Sequence, residues 1–232
     1  MKAILYQESS ARLCDIPGLD PGPGEAILDV EVCGLCGTDI MKLSTGATHA
    51  VLGHELCGRI AKLGEGVGGL REGDRVIAAH HVPCLDCHYC RRGSESMCRQ
   101  FKATNVEPGG FSQSVRLSAG HVKHTTLKIP ERLDALSASQ TEPLACCLRN
   151  AKRLALGSGD SAGIVGLGAI GQLLGRLLSA VYGVRVFGLD LDSRRARALD
   201  AFGRGFTAAE EFALAVRAAP ARRGLAAVIV TA

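Results

Sequence analysis

Three side chains early in the chain are of the types that bind a catalytic metal ion. Cys36 opens a Cys-Gly-Thr-Asp motif, and His54 and Glu55 stand together in a Gly-His-Glu motif. A thiolate, an imidazole and a carboxylate are the ligands that catalytic zinc uses while one coordination position stays open. If the fold brings these residues together, they predict zinc-assisted chemistry on a bound oxygen.

Four further cysteines are spaced as ligands of a second metal ion. Four thiolates on one short loop can close a tetrahedral site around zinc, and a site without an open position is structural. The spacing therefore predicts a metal that stabilises a small lobe over residues 84–98, with an iron–sulfur cluster as the alternative for the same ligands. The four residues are Cys84, Cys87, Cys90 and Cys98.

A closer cysteine pair, Cys33 and Cys36, has the Cys-x2-Cys spacing of redox motifs. Cys33, however, ends a stretch of alternating hydrophobicity. We therefore expect it to pack as a small apolar residue, and we treat a redox switch at this pair as a lesser alternative.

A glycine-rich loop predicts a dinucleotide site in the second half of the chain. Gly166, Gly168 and Gly171 follow a short apolar strand and open a helix. Glycines at this spacing permit a tight turn and let the backbone approach a pyrophosphate closely. The N–H groups at the start of the helix, around Ala169 and Ile170, can bind the phosphates.

Asp190 stands at the end of the next predicted strand, where a carboxylate can bind both hydroxyls of a ribose. Its charge would repel a 2′-phosphate, so the sequence favours NAD over NADP. Arg194 and Arg195 keep NADP as the alternative, with Arg195 beside the cofactor. Asp192 fits better as the N-cap of the following helix.

Composition narrows the class of protein. The chain has 232 residues, 47% of them hydrophobic, and its 27 basic and 23 acidic residues are interspersed, which speaks against a nucleic-acid surface. No apolar run of about 18 residues occurs, so no membrane-spanning helix is expected. The N-terminus reaches Glu8 too soon for a signal peptide, so we expect a cytoplasmic protein. Thiols stay reduced there, so ten cysteines indicate metal binding or catalysis rather than disulfides.

The predicted elements change in character after Pro130, and together they indicate an α/β protein. Short strands separated by glycine and proline come first and predict a small barrel or sandwich. Alternating strands and helices follow and predict a doubly wound parallel sheet. We expect domains at 1–147 and 148–232. The expected strands are Lys2–Tyr6, Ala26–Val32, Leu52–Leu63, Arg75–Ala79, Phe111–Leu117, 162–166, Val184–Leu189 and Ala226–Val230, and the helices are Ser137–Leu156, Ala169–Tyr182, Ser193–Ala201 and Ala208–Ala219.

Taken in order, these motifs resemble those of the zinc-dependent medium-chain dehydrogenases, which include alcohol, sorbitol and threonine dehydrogenases. The resemblance runs from Met1 to the end of the chain and implies a GroES-like domain with a structural-zinc lobe, followed by a partial Rossmann domain. Besides the motifs already described, it rests on Gly73-Asp74-Arg75-Val76, His81-Val82-Pro83-Cys84, Gly109-Gly110-Phe111 and Glu142-Pro143-Leu144-Ala145.

The resemblance also implies roles for single residues. Cys36, His54 and Glu142 would bind the catalytic zinc, with Glu55 as a fourth ligand or an exchanging neighbour, and Thr38 would hydrogen-bond the substrate hydroxyl. The expected function is hydride transfer between a secondary alcohol or polyol and NAD, with two zinc ions per chain. The alternative is a truncated, non-catalytic, zinc-stabilised dinucleotide-binding protein.

Three departures from the family pattern qualify this expectation. Met41 stands where many relatives carry a histidine that passes the proton to solvent, and Lys42 and His49 are weak substitutes. The segment Leu43–Val51 beside the substrate pocket is short. The chain also stops early relative to the family, which predicts a truncated product and makes the family's homo-oligomer doubtful here.

Overall fold

Antiparallel strands build the first of two units, Met1–Glu142. The structure is a computed structural model that describes residues 1–7, 10–45, 50–218 and 224–231. One sheet has the order β2-β1-β4 and the other β7-β3-β5-β6-β8. The strands are β1 Lys2–Gln7, β2 Ser10–Asp15, β3 Ala26–Gly34, β4 Ala50–Val51, β5 Glu55–Leu63, β6 Arg75–Ala78, β7 Ser114–Leu117 and β8 Thr126–Lys128.

Short helices lie between these strands. A first helix directly follows β3, and two single 3₁₀ turns, Cys90–Arg92 and Glu95–Met97, shape the segment that carries the clustered cysteines. The helices of the first unit are α1 Gly37–Ser44, α2 Arg99–Ala103, α3 Ala119–His124 and α4 Ala135–Ser139.

The core of the first unit explains why β3 and β5 are its central strands. Leu28 on β3, Ile60 on β5 and Val115 on β7 are each at most 2% exposed and belong to one hydrophobic cluster. Because side chains alternate between the two faces of a strand, this cluster fixes the register of the sheet. A β-bulge between Val30 and Val32 then shifts the pairing by one residue, so that Gly34 at the end of β3 pairs with Glu55 at the start of β5.

The second unit, Pro143–Ala232, contains a parallel sheet of order β11-β10-β9-β12. Helices connect its strands, as in a doubly wound fold, and the strand order reverses between β9 and β12. With the antiparallel first unit, this confirms the predicted α/β fold class. The elements are α5 Thr141–Leu154, β9 Ser161–Val165, α6 Ala169–Tyr182, β10 Arg185–Leu189, α7 Ser193–Leu199, β11 Arg204–Phe206, α8 Ala209–Arg217 and β12 Ala227–Val230.

Helix α6 has the bounds predicted for it, because residues within and next to the helix determine its start, its buried face and its end. Leu174 and Leu178, one helical turn apart, are at most 1% exposed and pack in the core of the second unit. Gly183 ends the helix in the left-handed conformation, at φ 66°, which glycine adopts without a steric penalty.

The single helix predicted over Ser137–Leu156 is wrong, because the structure has two helices there, α4 and α5. Asp134 caps α4 by accepting the N–H of Ser137 at 2.8 Å. Pro143 has no N–H to continue a helix through this region, but it is tolerated in the first turn of a new one. The domain boundary predicted after residue 147 falls inside α5.

Within the described part of the chain, every helix is too short or too polar to cross a lipid bilayer.

Replacing Leu28 by alanine tests the core of the first unit. Leu28 is fully buried, and removing a buried leucine side chain lowers the free energy of unfolding by about 2–5 kcal/mol. Leu13 is 68% exposed, so the matched Leu13→Ala change is expected to stay within about 0.5 kcal/mol of the parent. Urea denaturation measures both, and equal effects would contradict this assignment of the core.

Candidate metal and dinucleotide sites

Strand pairing brings the first three candidate ligands together. The β3–β5 register ends at the Gly34–Glu55 pair, so Cys36, two residues beyond β3, comes back towards His54, which directly precedes β5. Potential ligand atoms of Cys36, His54 and Glu55 all lie within 4.8 Å of one another. We call these three residues the Cys36 group.

Asp39 contacts both chain segments that carry this group. It is 1% exposed, and its carboxylate accepts the N–H of Cys36 at 3.1 Å and that of Gly53 at 3.4 Å. One of its oxygens also lies 3.4 Å from Nδ1 of His54. A carboxylate on one ring nitrogen orients a histidine and directs the other nitrogen towards a metal.

Glycine makes room for the Glu55 carboxylate. A Cβ atom on Gly34 would lie 2.2 Å from Oε2 of Glu55, which no side chain can tolerate. The missing side chain at Gly34 therefore lets Glu55 fold back towards Cys36.

Cys33 is packed against Gly53 and Gly110 and does not have the surroundings of a reactive thiol. Its sulfur would be 2.9 Å from a Cβ on Gly53 and 2.6 Å from one on Gly110. Burial is the main cause that raises the pKa of Cys33 to about 12. A protonated, packed thiol is a poor nucleophile, which disfavours the redox interpretation of the Cys33–Cys36 pair.

The Cys36 group fits a divalent cation by its donor types and by its charge. His54 is 9% exposed and Glu55 is 7% exposed, and with Asp39 they place two carboxylates and an imidazole beside a thiol in a buried position. Buried charges are costly unless they are paired or bind a metal. One sulfur, one nitrogen and one carboxylate oxygen match the ligands of an open zinc site.

The remaining candidates lie at different distances from this group. Thr38 is exposed in the first turn of α1, two residues from Cys36. Glu142 is in the first turn of α5 and is not among the side chains brought within 4.8 Å of all three, so its role as a ligand stays a prediction. Met41 is 58% exposed on α1, and His49 lies outside the described residues.

The four clustered cysteines, which we call the cysteine cluster, form a cage of single-ion size. Sγ of Cys84 lies 3.6 Å from Sγ of Cys98 and 3.9 Å from that of Cys90, and Cys87 and Cys90 are 3.6 Å apart. A tetrahedron with Zn–S bonds of about 2.3 Å has S···S edges of about 3.8 Å. Disulfide sulfurs would be only about 2 Å apart, and a multi-iron cluster needs a wider cage.

Backbone donors prepare the cluster for a cation. The N–H groups of Cys84 and Cys87 donate to the sulfurs of Cys98 and Cys84, at 3.5 and 3.3 Å. Such bonds from the backbone of Cys84 and Phe101 lower the pKa of Cys98 to about 6, whereas burial raises that of Cys90 to about 12. Because metals bind the thiolate form, a resident ion would bind the Cys98 thiolate directly and would displace the proton of Cys90.

The glycine-rich loop brings its backbone close together and leaves open space at the start of α6. Gly166 follows β9 with φ 93°, and a Cβ on Gly171 would lie 2.1 Å from the carbonyl oxygen of Gly166. Gly168 is the N-cap of α6, and a Cβ there would meet nothing within 4 Å. The space in front of the exposed Ala169 and Ile170 is thus open for an anion.

Asp190 closes one side of this loop. Its carboxylate accepts the N–H of Leu167 at 2.7 Å and that of Asp192 at 2.8 Å, and these bonds lower its pKa. Nη1 of Arg195 is 3.8 Å away. Asp192 caps α7 by accepting the N–H of Arg194, which agrees with the role expected for it.

Two features of the site were missed by sequence reasoning. Asp39 stood in the quoted Cys-Gly-Thr-Asp motif without a role, because its spacing from Cys36 shows a capping contact at most and not its contact with His54. His80 and His81 precede the cysteine cluster, and the ring of His80 lies 4.7 Å from that of His54. His81 stood in the quoted His-Val-Pro-Cys motif without a role, and His80 precedes that motif.

Comparisons with known proteins agree with this geometry. The family described as the alcohol dehydrogenase GroES-like domain matches residues 22–131. D-altritol 5-dehydrogenase from Agrobacterium fabrum is 34% identical over 75% of this chain and 53% of that enzyme. The chain spans about half the length of the curated relatives it matches.

Two solved structures extend the likeness to both units. An inferred zinc-binding dehydrogenase from Sinorhizobium meliloti, bound to NADP, is 27% identical with a TM-score of 0.83, over 100% of this chain and 69% of that one. Acetophenone reductase from Geotrichum candidum, in complex with NAD, is 28% identical with a TM-score of 0.77, over 87% of this chain and 61% of that one.

Replacing Cys84 by serine tests the cysteine cluster. A hydroxyl is a far weaker zinc ligand than a thiolate, so the variant is expected to lose one zinc ion per chain after dialysis against a chelator. Cys146→Ser, at an exposed cysteine outside the cluster, is expected to keep the zinc content of the parent. Elemental analysis measures both, and an unchanged zinc content in Cys84→Ser would rule out the cluster as a zinc site.

Proposed function

We propose an oxidoreductase function for this chain, which belongs to the zinc-dependent medium-chain dehydrogenase/reductase family. The proposed reaction is hydride transfer between a secondary alcohol or polyol and NAD. The observation that carries the proposal is the convergence of Cys36, His54 and Glu55, from two separate motifs, within 4.8 Å.

In this proposal the metal is held at the end of the β3–β5 strand pair. Cys36 and His54 are ligands, Glu142 is the further ligand, and Glu55 is a fourth ligand or an exchanging neighbour. Asp39 keeps the His54 ring in place through Nδ1. Zinc bound by these residues would supply a Lewis acid that makes an alcohol hydroxyl more acidic.

Thr38 is proposed to handle the proton. It lies in the first turn of α1, two residues after Cys36, and its side chain is exposed. Its hydroxyl can accept a hydrogen bond from the substrate hydroxyl and donate one to solvent. Met41 has no ionisable group, so we propose that the proton passes from Thr38 to water without a histidine relay.

The nucleotide is proposed to bind across the carboxyl end of the parallel sheet. The N–H groups near Gly168, Ala169 and Ile170 face its pyrophosphate, and Asp190 accepts hydrogen bonds from the ribose. NAD would supply the hydride acceptor. The bond from Leu167 to Asp190 holds this carboxylate beside the loop, which supports NAD over NADP. Arg195, 58% exposed at its side chain, is the group through which NADP could be accepted.

The substrate class and the setting are also proposals. The name of the relative from Agrobacterium fabrum refers to a polyol, which supports a small alcohol or polyol as substrate. Two zinc ions per chain follow if both the Cys36 group and the cysteine cluster bind metal. All ten cysteines are free of disulfides in the structure, in keeping with a cytoplasmic protein.

Turnover of alcohols tests the central proposal. NAD reduction is measured with a panel of secondary alcohols and polyols before and after Cys36→Ser. Losing a direct ligand should cost more than the 10–100-fold typical of outer contacts, so we expect a loss of at least about 100-fold. The control Cys14→Ser, on β2, should leave turnover unchanged. Full activity of Cys36→Ser would remove the metal from the mechanism, and NAD binding without any turnover would favour the non-catalytic alternative.

Asp190→Ser tests the choice of nucleotide. Removing a charged hydrogen-bond acceptor costs about 1.5–3 kcal/mol, so NAD affinity should fall about 10–100-fold while NADP affinity rises. Asp192→Asn is the matched control, because it removes a nearby charge and keeps a good N-cap. Calorimetric titration with both nucleotides measures the four affinities. Unchanged NAD binding by Asp190→Ser would contradict the ribose assignment.

A further inference from the structure

A row of four rings leads from the Cys36 group to the cysteine cluster. The ring centroids of His54 and His80 are 4.7 Å apart, those of His80 and His81 are 3.9 Å apart, and those of His81 and Phe101 are 4.7 Å apart. We call these four side chains the ring row. Its first member is a candidate ligand, and its last member lies on α2, which begins directly after Cys98.

The cluster end of the row is closed by Thr104. Its hydroxyl accepts the N–H of Val82 at 2.8 Å, and its carbonyl oxygen contacts Nδ1 of His81. Val82 is 2% exposed. The segment that carries the four cysteines therefore begins and ends at the same point, beside the His81 ring. Phe101 is tied to the cluster through the backbone, because Cys98 is the N-cap of the helix α2 on which Phe101 lies.

The backbone of His80 is held separately. Nε2 of His121 donates to the His80 carbonyl oxygen at 3.0 Å, and Nδ1 of His121 lies 2.8 Å from the Ser118 hydroxyl. The His121 side chain is 1% exposed. The backbone at His80, two residues beyond β6, is thus held by His121, which lies outside the segment of the cysteine cluster.

The His80 ring itself is held by packing. Its Nδ1 is buried and, among the described residues, has no hydrogen-bond partner. Buried polar atoms without a partner are uncommon, so a histidine kept here is fixed by its neighbouring rings on both sides.

We infer that the cysteine cluster positions His54 through the ring row, with His80 as a positioning residue, so that metal bound in the cluster strengthens metal binding by the Cys36 group. This inference rests on the proposed function, because it requires both groups to bind zinc. The cysteine cluster would then affect the Cys36 group in addition to stabilising its own segment. Linkage requires the converse as well, so metal in the Cys36 group strengthens retention in the cluster by the same factor.

Outer contacts that orient a ligating histidine change metal affinity about 10–100-fold. The row provides such a contact on the face of His54, in addition to the Asp39 carboxylate at Nδ1. If the His80 ring is removed, His54 still contacts the Asp39 carboxylate, but it loses the ring packing that restricts the tilt of its imidazole. We therefore expect the lower end of this range for a change in the row.

The first part of the experiment uses His80→Ala, His80→Phe and the control His124→Ala, at an exposed histidine that ends α3. Zinc release from the whole 232-residue chain is measured with a series of chelators of increasing affinity. The site that releases zinc more readily is assigned to the Cys36 group if it is missing in Cys36→Ser. We expect His80→Ala to weaken that site about tenfold. His80→Phe restores a ring and should recover most of the affinity, and His124→Ala should match the parent.

The second part acts at the far end of the row. Phe101→Ala changes no residue of the Cys36 group, yet it should weaken zinc binding there about threefold, within the range for outer contacts. The double variant His80→Ala/Phe101→Ala should then lose no more than His80→Ala alone, because the row is already broken. If Phe101→Ala does not fold, Phe101→Leu, which keeps the volume and removes the ring, replaces it in the same cycle.

The outcomes separate the inference from the proposed function. A parent chain that holds no zinc sensitive to Cys36→Ser overturns both. A parent that holds two zinc ions while the folded Phe101 variant keeps full affinity at the weaker site overturns the coupling alone. Equal losses in His80→Ala and His80→Phe overturn the ring row as its route, since the loss would then follow the nitrogen atoms rather than the packing.

Discussion

The pairing of β3 with β5 is the constraint on which the candidate metal site depends. Hydrophobic side chains on both strands fix their pairing, and a β-bulge between Val30 and Val32 shifts it by one residue so that Gly34 faces Glu55. A slip of one residue would turn the buried face of each strand towards solvent and would also separate Cys36 from His54. The packing that stabilises the sheet is therefore the same packing that assembles the ligands.

One glycine and one buried aspartate position the side chains of the Cys36 group. Gly34 gives the Glu55 carboxylate its space, and Asp39 holds two backbone N–H groups and faces one nitrogen of His54. These contacts gather buried negative charge at one point. A cation is the natural complement of such charge, so the geometry and the electrostatics support the same proposal. The cysteine cluster, joined to the same region by the ring row, extends this arrangement over a larger part of the first unit.

Much of the second unit could be predicted, because its signals are local. The strand β9, the glycine loop and α6 follow one another within a single stretch of chain, and Asp192 caps the next helix as expected. Short strands such as β2 and β11 were missed, because β11 is only three residues long and β2 is mostly exposed, so neither carries a periodic pattern. The helix start predicted at Ser137 was wrong, because periodicity does not show that the helix restarts at Thr141, although Pro143 lies in an N-terminal helical turn as expected.

The sequence alone determined the ligand types, the spacing of the cysteine cluster, the glycine loop and the order of the two units, since each is encoded in a short stretch of residues. Tertiary structure decided which distant residues meet. It put Glu55 beside Cys36, gave Asp39 its place next to His54, and lined up His80 and His81 between the Cys36 group and the cysteine cluster. Such contacts depend on strand register and on the packing of side chains far apart in the chain, and neither leaves a periodic or motif-like trace in the sequence.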